Sequence, residues 1–219
     1  MVEVSTSLLS IEKEKIVKAI YDLEVAGTNY FHIDVMDGNF VKNNTVDMMR
    51  EYTEYIKQVA NTLVDVHLMV KDVETFIKSY IDMDVNSITF HIEACKNEKE
   101  VLKFISYIKE NNIKVGLSIK PKTSIEEIYQ YLPYIHSVLV MSVEPGEGGQ
   151  EFIEDTLEKI NKLNVFVYEN GYDIDIAVDG GINDITSKKV IEKGANILVS
   201  GSYITNNKNY KDAIDSLKK

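Results

Sequence analysis

Hydrophobic and polar residues alternate along a short stretch near the N-terminus, and this stretch indicates the architecture of the whole chain. In Phe-His-Ile-Asp-Val-Met at residues 31–36, apolar side chains alternate with others, among them His32 and Asp34. A period of two is that of a β-strand, whose successive side chains point to opposite faces. His32 and Asp34 therefore share one face, about 7 Å apart. The strand runs into Asp37-Gly38, so we expect a polar site at its C-terminal end.

Strand patterns alternate with helix patterns along the entire chain, with no linker between them. Apolar residues spaced by three and four predict the helices, and glycines such as Gly27 and Gly171 predict where helices end. The predicted strands cover 2–8, 30–36, 62–69, 87–92, 114–119, 137–143, 174–179 and 196–200. The predicted helices cover 11–26, 46–59, 73–83, 98–111, 153–170, 184–193 and 208–217. A further short helix is predicted after Ser124, with Glu127 completing a capping box.

Eight repeated β/α units predict a (β/α)8 TIM barrel of parallel strands, formed as a single domain over residues 1–219. The alternative is a doubly wound open sheet, but no G-x-G-x-x-G motif follows the first strand. In a barrel, functional side chains lie at the C-terminal ends of the strands. The pattern places five candidates there, namely His32, Asp34, His67, Met141 and Asp179.

Composition narrows the classes of partner. The net charge of −11 argues against nucleic acid or an anionic membrane as partner. The single cysteine, Cys95, excludes an internal disulfide and favours a reducing compartment, so we expect a cytoplasmic protein. Neither a secretory signal nor an apolar run of transmembrane length is visible.

Two histidines and two aspartates at the ends of strands two, three and seven predict a site for one divalent metal ion. The four residues are His32, Asp34, His67 and Asp179. Imidazole and carboxylate ligands suit Zn, Fe(II), Mn or Co, and the residue types do not distinguish these metals. Of the other histidines, His91 shares a face with Glu93 and is expected at the barrel mouth, whereas His136 is expected to be structural.

Asp34 and Asp179 come from different sides of the predicted barrel and are candidates for acid and base catalysis. A substrate between them would meet one carboxylate on each face, so one could remove a proton from carbon and the other could return one to the opposite face. That sequence of events inverts a stereocentre, and a metal would stabilise the resulting enediolate. Asp37, directly before Gly38, is interpreted as a turn residue.

Glycine-rich loops follow strands six, seven and eight, where barrels often bind phosphate. The relevant residues are Gly146, Gly148, Gly149, Gly180, Gly181, Gly201 and Ser202. Their backbone N–H groups can approach phosphate oxygens closely, and Ser202 adds a hydroxyl. Three methionines share their faces with the candidate ligands and are expected to form an apolar wall at the mouth: Met36, Met69 and Met141.

Several of these runs, in this order, resemble the ribulose-phosphate 3-epimerase family. They are Ser-Leu-Leu-Ser at 7–10, His-Ile-Asp-Val-Met-Asp-Gly at 32–38, Asp-Val-His-Leu-Met at 65–69, the run 141–150, Val-Asp-Gly-Gly-Ile-Asn at 178–183 and Gly-Ser at 201–202. The resemblance implies a (β/α)8 enzyme that interconverts D-ribulose 5-phosphate and D-xylulose 5-phosphate in the pentose phosphate pathway. It also implies a homo-oligomer, either a dimer or a hexamer.

The resemblance assigns roles to individual residues. It implies that His32, Asp34, His67 and Asp179 bind the metal and that Asp34 and Asp179 are the acid/base pair. Ser7 and His67 would contact the substrate. The phosphate end would be held by Gly146, Gly148, Gly149, Gly180, Gly181, Gly201 and Ser202. Met36, Met69 and Met141 would line the enediolate.

The chain departs from the family pattern at the predicted pocket. Lys42 replaces the Pro of Phe-Val-Pro-Asn, Asp47-Met48 replaces a Gly-Pro, Glu147 replaces the Phe of Pro-Gly-Phe-Gly-Gly, Lys120 precedes Pro121 where Asn is typical, and Thr6 replaces a Pro. Glu147 would disfavour a nearby phosphate unless its side chain faces solvent. These changes leave the choice of substrate open.

Three alternatives remain from the sequence. A 3-epimerase of a hexulose 6-phosphate, such as D-allulose 6-phosphate, would use the same residues in a roomier pocket. A Schiff-base aldolase is suggested by Lys120 at the end of strand five. A non-catalytic barrel that binds sugar phosphates is the third alternative, although binding alone does not require a carboxylate on each face of a carbon.

Overall fold

Eight parallel strands close into one barrel in the computed structural model, which describes residues 1–219. The strands are β1 (Glu3–Ser7), β2 (Tyr30–Met36), β3 (Leu63–Met69), β4 (Ser87–His91), β5 (Lys114–Ile119), β6 (Ser137–Met141), β7 (Asp175–Asp179) and β8 (Ile197–Ser200). Each strand pairs with its neighbours in sequence, and β1 pairs with β8 to complete the ring. The predicted (β/α)8 barrel is therefore confirmed.

Helices surround the barrel between successive strands. They are α1 (Ile16–Ala26), α2 (Val46–Val59), α3 (Val73–Ile81), α4 (Glu98–Glu110), α5 (Thr156–Asn170), α6 (Thr186–Glu192), α7 (Ser202–Thr205) and α8 (Tyr210–Leu217). Gly27 and Gly171 follow α1 and α5 with φ angles of 87° and 66°, the left-handed conformation that glycine adopts without strain. The glycine signals for these two helix ends are confirmed. No helix combines the length and the apolar character that crossing a membrane requires.

The fifth connection differs from the prediction. Between β5 and β6 the chain forms two 3-10 segments, Ile125–Glu127 and Tyr129–Tyr134, and the second contains Pro133. The capping box is wrong, because the Ser124 hydroxyl donates to the Glu126 carboxylate and caps no backbone N–H. A proline inside the segment removes a backbone donor, which explains why a regular α-helix does not continue here.

Several helices are shorter than predicted at their N-terminal ends. Residues 13–15 form a 3-10 turn before α1, and α5 begins at Thr156 instead of residue 153. The N–H of Ile153 donates to the carbonyl of Ser142, at 2.8 Å, just beyond β6. Residues 153–155, which the pattern assigned to the helix, therefore belong to the loop at the barrel mouth.

Apolar side chains fill two separate regions. The outward faces of the strands pack against the helices in one cluster of 52 buried residues, which includes Phe31, Ile33 and Val35. A second cluster of 6 residues, which includes Leu139, Met141 and Val199, lies on the inward faces of β6, β7 and β8. The inward faces of β2, β3 and β4 instead carry the buried His32, Asp34, His67 and His91. The interior is therefore polar on one side and apolar on the other.

Candidate active site

Strand register brings the four predicted ligands together at the C-terminal end of the barrel. In the parallel pairing of β2 with β3, Asp34 lies opposite His67 and His32 lies opposite Asp65. Asp179 ends β7 on another part of the ring. One ligand atom from each of the four residues His32, Asp34, His67 and Asp179 lies within 4.8 Å of the others.

Both imidazoles face both carboxylates. His32 Nε2 lies 3.3 Å from Asp34 Oδ1 and 4.0 Å from Asp179 Oδ2. His67 Nδ1 lies 3.3 Å from Asp34 Oδ1 and 3.7 Å from Asp179 Oδ2. The side chains of both histidines are fully buried, so these contacts are not shared with bulk water. The two nitrogens and the carboxylate oxygens enclose one common point.

The His32 nitrogen that points away from the four residues, Nδ1, is hydrogen-bonded to Asp65. His32 Nδ1 lies 2.8 Å from Asp65 Oδ2, and Asp65 Oδ1 accepts a hydrogen bond from the Ser87 hydroxyl at 2.8 Å. Because an ionised carboxylate only accepts, Nδ1 carries the hydrogen. The inner nitrogen, Nε2, is buried and has no hydrogen-bond partner.

This arrangement fits a divalent metal. A buried polar atom without a partner carries a substantial free-energy cost, and coordination of a cation by Nε2 would remove that cost. Two imidazole nitrogens and two carboxylates form the mixed N/O set that Zn, Fe(II), Mn and Co accept. His32, Asp34, His67 and Asp179 are therefore the residues that could hold one ion.

The two carboxylates differ in their proton affinity. Burial by itself would raise the pKa of Asp34, but the charge and hydrogen bonding of the adjacent His32 oppose it most strongly, and the pKa of Asp34 is lowered. Burial, and then the nearby charge of Asp34, raise the pKa of Asp179 to about 6. Divergent pKa values in a close pair are what an acid and a base with distinct roles require.

The surroundings of His32 link metal binding to protons. Burial would lower the pKa of His32, yet the carboxylates of Asp34 and Asp65 outweigh burial and raise it well above its ordinary value. A metal must displace any proton on the nitrogen that it binds. Protons and metal ions therefore compete at this imidazole.

A cavity of about 900 Å³ opens directly above the four residues. Most residues predicted to contact the substrate line it, namely Ser7, Met36, Met69, Met141, Gly146, Gly148, Gly149, Gly180, Gly181, Gly201 and Ser202. Asp34 and Asp179 also line it. The two histidines do not, because His32 and His67 lie fully buried beneath the carboxylates. His67, which the resemblance placed in contact with the substrate, thus lies behind Asp34 and Asp179.

Ser7 connects the cavity wall to Asp34, one of the two buried carboxylates. Its hydroxyl donates to Asp34 Oδ2 at 2.6 Å, and the side chain is buried. This bond satisfies one oxygen of Asp34 and leaves the other, Oδ1, facing the two histidines. Ser7 therefore orients the carboxylate as well as lining the cavity.

The glycines after β7 lie too close to the neighbouring loop to be replaced by residues with a side chain. A Cβ at Gly180, whose φ is +117°, would lie 2.5 Å from Val143, and one at Gly181 would lie 2.7 Å from the backbone nitrogen of Phe152. The single hydroxyl hydrogen of Ser142 is shared between the carbonyls of Asp179 and Gly180, at 2.9 and 2.6 Å from Oγ. The backbone that carries Asp179 into the site is thus held by the neighbouring loop.

The loop after β2 covers part of the mouth. The Asn43 amide donates to the Gly146 carbonyl at 2.8 Å, and Val41 packs against the same glycine. In this loop Asp37 accepts from the backbone N–H groups of Asn39 and Phe40, both at 2.8 Å, so its interpretation as a turn residue is confirmed.

The remaining candidates lie outside the reacting centre. The exposed Glu147 lines the outer cavity. Lys120 Nζ lies 3.9 Å from the centre of the Phe40 ring and does not line the cavity, so a Schiff base there would have no access to the two carboxylates. His136 Nδ1 accepts from the backbone N–H of Val115 at 3.2 Å, as expected of a structural histidine.

The interpretation of the sequence missed two features of the site. Asp65 was visible as part of the Asp-Val-His-Leu-Met run, but its pairing with His32 depends on the register of β2 and β3. His91 was expected to face the mouth, whereas it is fully buried against His67 and does not line the cavity. An alternating pattern identifies the face of a residue but not its depth in the barrel.

Comparison with known proteins gives a consistent result. The family described as the Ribulose-phosphate 3 epimerase family matches residues 3–205 of this chain. Ribulose-phosphate 3-epimerase of Methanocaldococcus jannaschii is 38% identical over 218 residues, which cover 100% of this chain and 90% of that protein. The protein of the same name in Bacillus subtilis is 36% identical over 219 residues, covering 100% of this chain and 99% of that protein.

Comparison with solved structures gives information on the fold alone. KGPDC from Streptococcus mutans superposes with a TM-score of 0.70 at 14% identity, covering 100% of this chain and 96% of that one. At so low an identity the likeness is to the barrel and carries no information on the reaction.

Proposed function

This chain belongs to the ribulose-phosphate 3-epimerase family, and from that membership we propose that it interconverts D-ribulose 5-phosphate and D-xylulose 5-phosphate. The observation that carries the proposal is the pair of carboxylates, Asp34 and Asp179, that line one cavity and share a common centre with His32 and His67. Inversion at C3 needs one proton acceptor and one proton donor at the same carbon.

Asp34 and Asp179 act as base and acid in turn. The hydrogen on C3 is acidic because the neighbouring C2 carbonyl delocalises the charge that its removal leaves. With its pKa lowered, Asp34 is ionised and can accept this proton, while Asp179, with a pKa of about 6, can donate one to the opposite face. The reverse reaction exchanges the two roles.

His32, Asp34, His67 and Asp179 would hold a divalent metal ion, which would supply the positive charge that stabilises an enediolate. The protein itself provides the orientation of the pair. Ser7 holds one oxygen of Asp34, and the loop contacts of Ser142 hold the backbone at Asp179.

Water must be kept from the enediolate, because it would protonate the carbon without control of the face. Met36, Met69 and Met141 line the cavity with exposures of 1%, 2% and 2%. Their thioether side chains offer neither a strong hydrogen-bond donor nor an acidic proton to the carbanionic carbon.

The phosphate end of the substrate is assigned to the loops after β6, β7 and β8. The residues are Gly146, Gly148, Gly149, Gly180, Gly181, Gly201 and Ser202, all of which line the same cavity as the carboxylates. Backbone N–H groups of such loops bind phosphate without a cationic side chain. This fits a chain with a net charge of −11.

The decisive experiment compares two substrates on enzyme with a defined metal content. We expect turnover of D-ribulose 5-phosphate in a coupled assay, with solvent deuterium incorporated at C3, and a kcat/KM roughly tenfold or more above that for D-allulose 6-phosphate. A higher kcat/KM for the hexulose phosphate would favour the alternative epimerase. Absence of turnover with both would favour a barrel that only binds, and retention of the original hydrogen would contradict proton abstraction.

The proposal extends to a cytoplasmic homo-oligomer, a dimer or hexamer. Its single thiol suits a reducing compartment. Val17, Tyr21 and Val25 are 46%, 60% and 68% exposed and recur every four residues along α1, which supports a partner surface. Light scattering on the purified protein should give a multiple of the chain mass, and a single-chain mass at micromolar concentration would contradict this part.

A further inference from the structure

A chain of three buried or partly buried side chains runs away from the metal-binding residues towards β4. His67 Nε2 lies 3.0 Å from His91 Nε2, and His91 Nδ1 lies 3.2 Å from Glu93 Oε2. Both histidines have no exposed surface. Two imidazole nitrogens at this distance share a single hydrogen, so one donates and the other accepts.

Glu93 determines which nitrogen donates. Its Oε1 accepts from the backbone N–H of Lys120 at 2.7 Å and from the Thr123 hydroxyl. Both partners of Oε1 are therefore donors. Burial by itself would raise the pKa of Glu93, but the contacts with His91, Lys120 and Thr123 outweigh burial and lower this pKa to about 2, so the carboxylate is ionised. His91 must then donate from Nδ1 to Glu93, which leaves Nε2 of a neutral His91 as an acceptor.

The order of donors continues to His67. Because His91 Nε2 accepts, His67 donates from its own Nε2, and the lone pair of His67 is placed on Nδ1, directed at Asp34 and Asp179. We propose that His91 and Glu93 are positioning residues that hold His67 in the tautomer able to bind the metal through Nδ1. This inference rests on the metal site described under the proposed function.

We call the hydrogen-bonded chain His67–His91–Glu93 the relay. Without the relay, His67 could adopt its other tautomer. Its Nδ1 lies 3.3 Å from Asp34 Oδ1, so a hydrogen on Nδ1 could be donated to Asp34. That tautomer would block the ligand atom and occupy the oxygen of the catalytic base. Hydrogen bonds from behind a ligating histidine commonly decide its tautomer and strengthen its binding.

The two ligating histidines are thus held by different residues and in opposite tautomers. Asp65 accepts from Nδ1 of His32 and leaves Nε2 facing the centre. His91 accepts from Nε2 of His67 and leaves Nδ1 facing the centre. The ring of Phe40 lies 5.0 Å from the His91 ring and packs against it.

The variant Glu93→Gln should reverse the relay without changing its shape. A glutamine has one carbonyl oxygen, and this oxygen would accept from both donors, the Lys120 N–H and the Thr123 O–H. The glutamine NH₂ group would therefore face His91 Nδ1. His91 would then carry its hydrogen on Nε2 and donate to His67, which would move the hydrogen of His67 to Nδ1. The affinity for Zn²⁺ should fall by roughly 10–100-fold.

Two readouts test this inference. Long-range ¹H–¹⁵N NMR of metal-free protein reports which nitrogen of each of the four histidines carries hydrogen. Competition with a chromophoric chelator reports the Zn²⁺ affinity. We expect hydrogen on Nε2 of His67 in the wild type and on Nδ1 in Glu93→Gln. The matched control is Thr123→Val, which removes another donor to Glu93 but leaves the His91 contact, and it should keep the wild-type tautomers and affinity.

Several outcomes would overturn the inference. Wild-type His67 with hydrogen on Nδ1, or His91 with hydrogen on Nε2, would contradict it without any variant, even if Glu93→Gln fails to fold. A folded Glu93→Gln protein with wild-type tautomers and Zn²⁺ affinity within threefold would also contradict it. Because the tautomers are read on metal-free protein, this result does not depend on whether the chain epimerises ribulose 5-phosphate.

Discussion

At the scale of residues, Asp34 and Asp179 are chemically alike but held in different environments. Asp34 accepts from Ser7 and faces two imidazoles, whereas Asp179 is partly exposed and lies beside an already charged carboxylate. The same side chain can therefore serve as base in one position and as acid in the other. Neither role could be read from the aspartate itself.

Replacing either carboxylate by its amide tests these roles. Asp34→Asn and Asp179→Asn should each lower kcat for ribulose 5-phosphate by roughly 10²–10⁴-fold or more, since an amide neither accepts nor delivers the proton. Circular dichroism should show a folded barrel in both. The control is Asp37→Asn at the same rim, where the side chain only accepts backbone hydrogen bonds, from Asn39, Phe40 and Lys71, and kcat there should stay within about threefold. Wild-type kcat in either test variant would contradict the two-carboxylate mechanism.

Cys95 offers a second residue-scale prediction. Burial, and then the charges of Glu100 and Glu93, raise the pKa of its thiol to about 12. Since the thiolate is the reactive form, alkylation by iodoacetamide at pH 8 should be on the order of 1000-fold slower in the native protein than in urea. Mass spectrometry of timed samples gives both rates. Equal rates would show that the thiol is not shielded.

At the scale of elements, the connection between β5 and β6 is secured from outside by α5. Lys159 Nζ donates to the carbonyls of Lys120, Pro121 and Thr123 at 3.0, 2.8 and 2.6 Å. A segment made of 3-10 turns leaves more carbonyls without internal partners than an α-helix does. One half-buried ammonium group satisfies three of them.

Removing that ammonium group should weaken the fold measurably. Lys159→Met leaves the three carbonyls without their donor, so we expect a loss of about 1–2 kcal/mol in the free energy of unfolding, measured by urea denaturation. Lys162→Met is the matched control on the same helix, because Lys162 pairs only with the exposed Glu158. The control should change stability by less than about 0.5 kcal/mol. Equal effects of the two substitutions would assign no special role to Lys159.

At the scale of the whole molecule, the four candidate metal ligands connect distant parts of the chain. His32, His67 and Asp179 come from β2, β3 and β7, so a bound cation would tie the barrel together across its end. A ligand that binds only the folded state stabilises it by mass action. Metal binding should therefore be visible in the melting temperature.

We expect Zn²⁺ at about 100 times its Kd to stabilise chelator-treated protein by about 2.7 kcal/mol. For a chain of this length that corresponds to a rise in Tm of roughly 5–10 °C, measured by differential scanning calorimetry. The rise should shrink as the pH falls, because the raised pKa of His32 makes protons compete with the metal. Asp179→Asn should reduce it, and a Tm independent of Zn²⁺ at neutral pH would contradict the metal site.

The sequence by itself determined the strands, the faces on which His32, Asp34 and His67 lie, and the closed order of eight units. These follow from periodicities of two and of about 3.6, which depend only on the local geometry of the backbone. It also placed the glycine ends of α1 and α5, because a left-handed residue after a helix is a local requirement.

Only the tertiary structure decided which groups touch across strands. The pairing of His32 with Asp65, the relay from His67 to Glu93, the depth of His91 and the three carbonyls at Lys159 all depend on strand register and on closure of the ring. The late start of α5 goes with the hydrogen bond from the Ile153 N–H to the Ser142 carbonyl, which the helix pattern does not show. Distances between strands are set by how the whole barrel closes, and no local pattern encodes them.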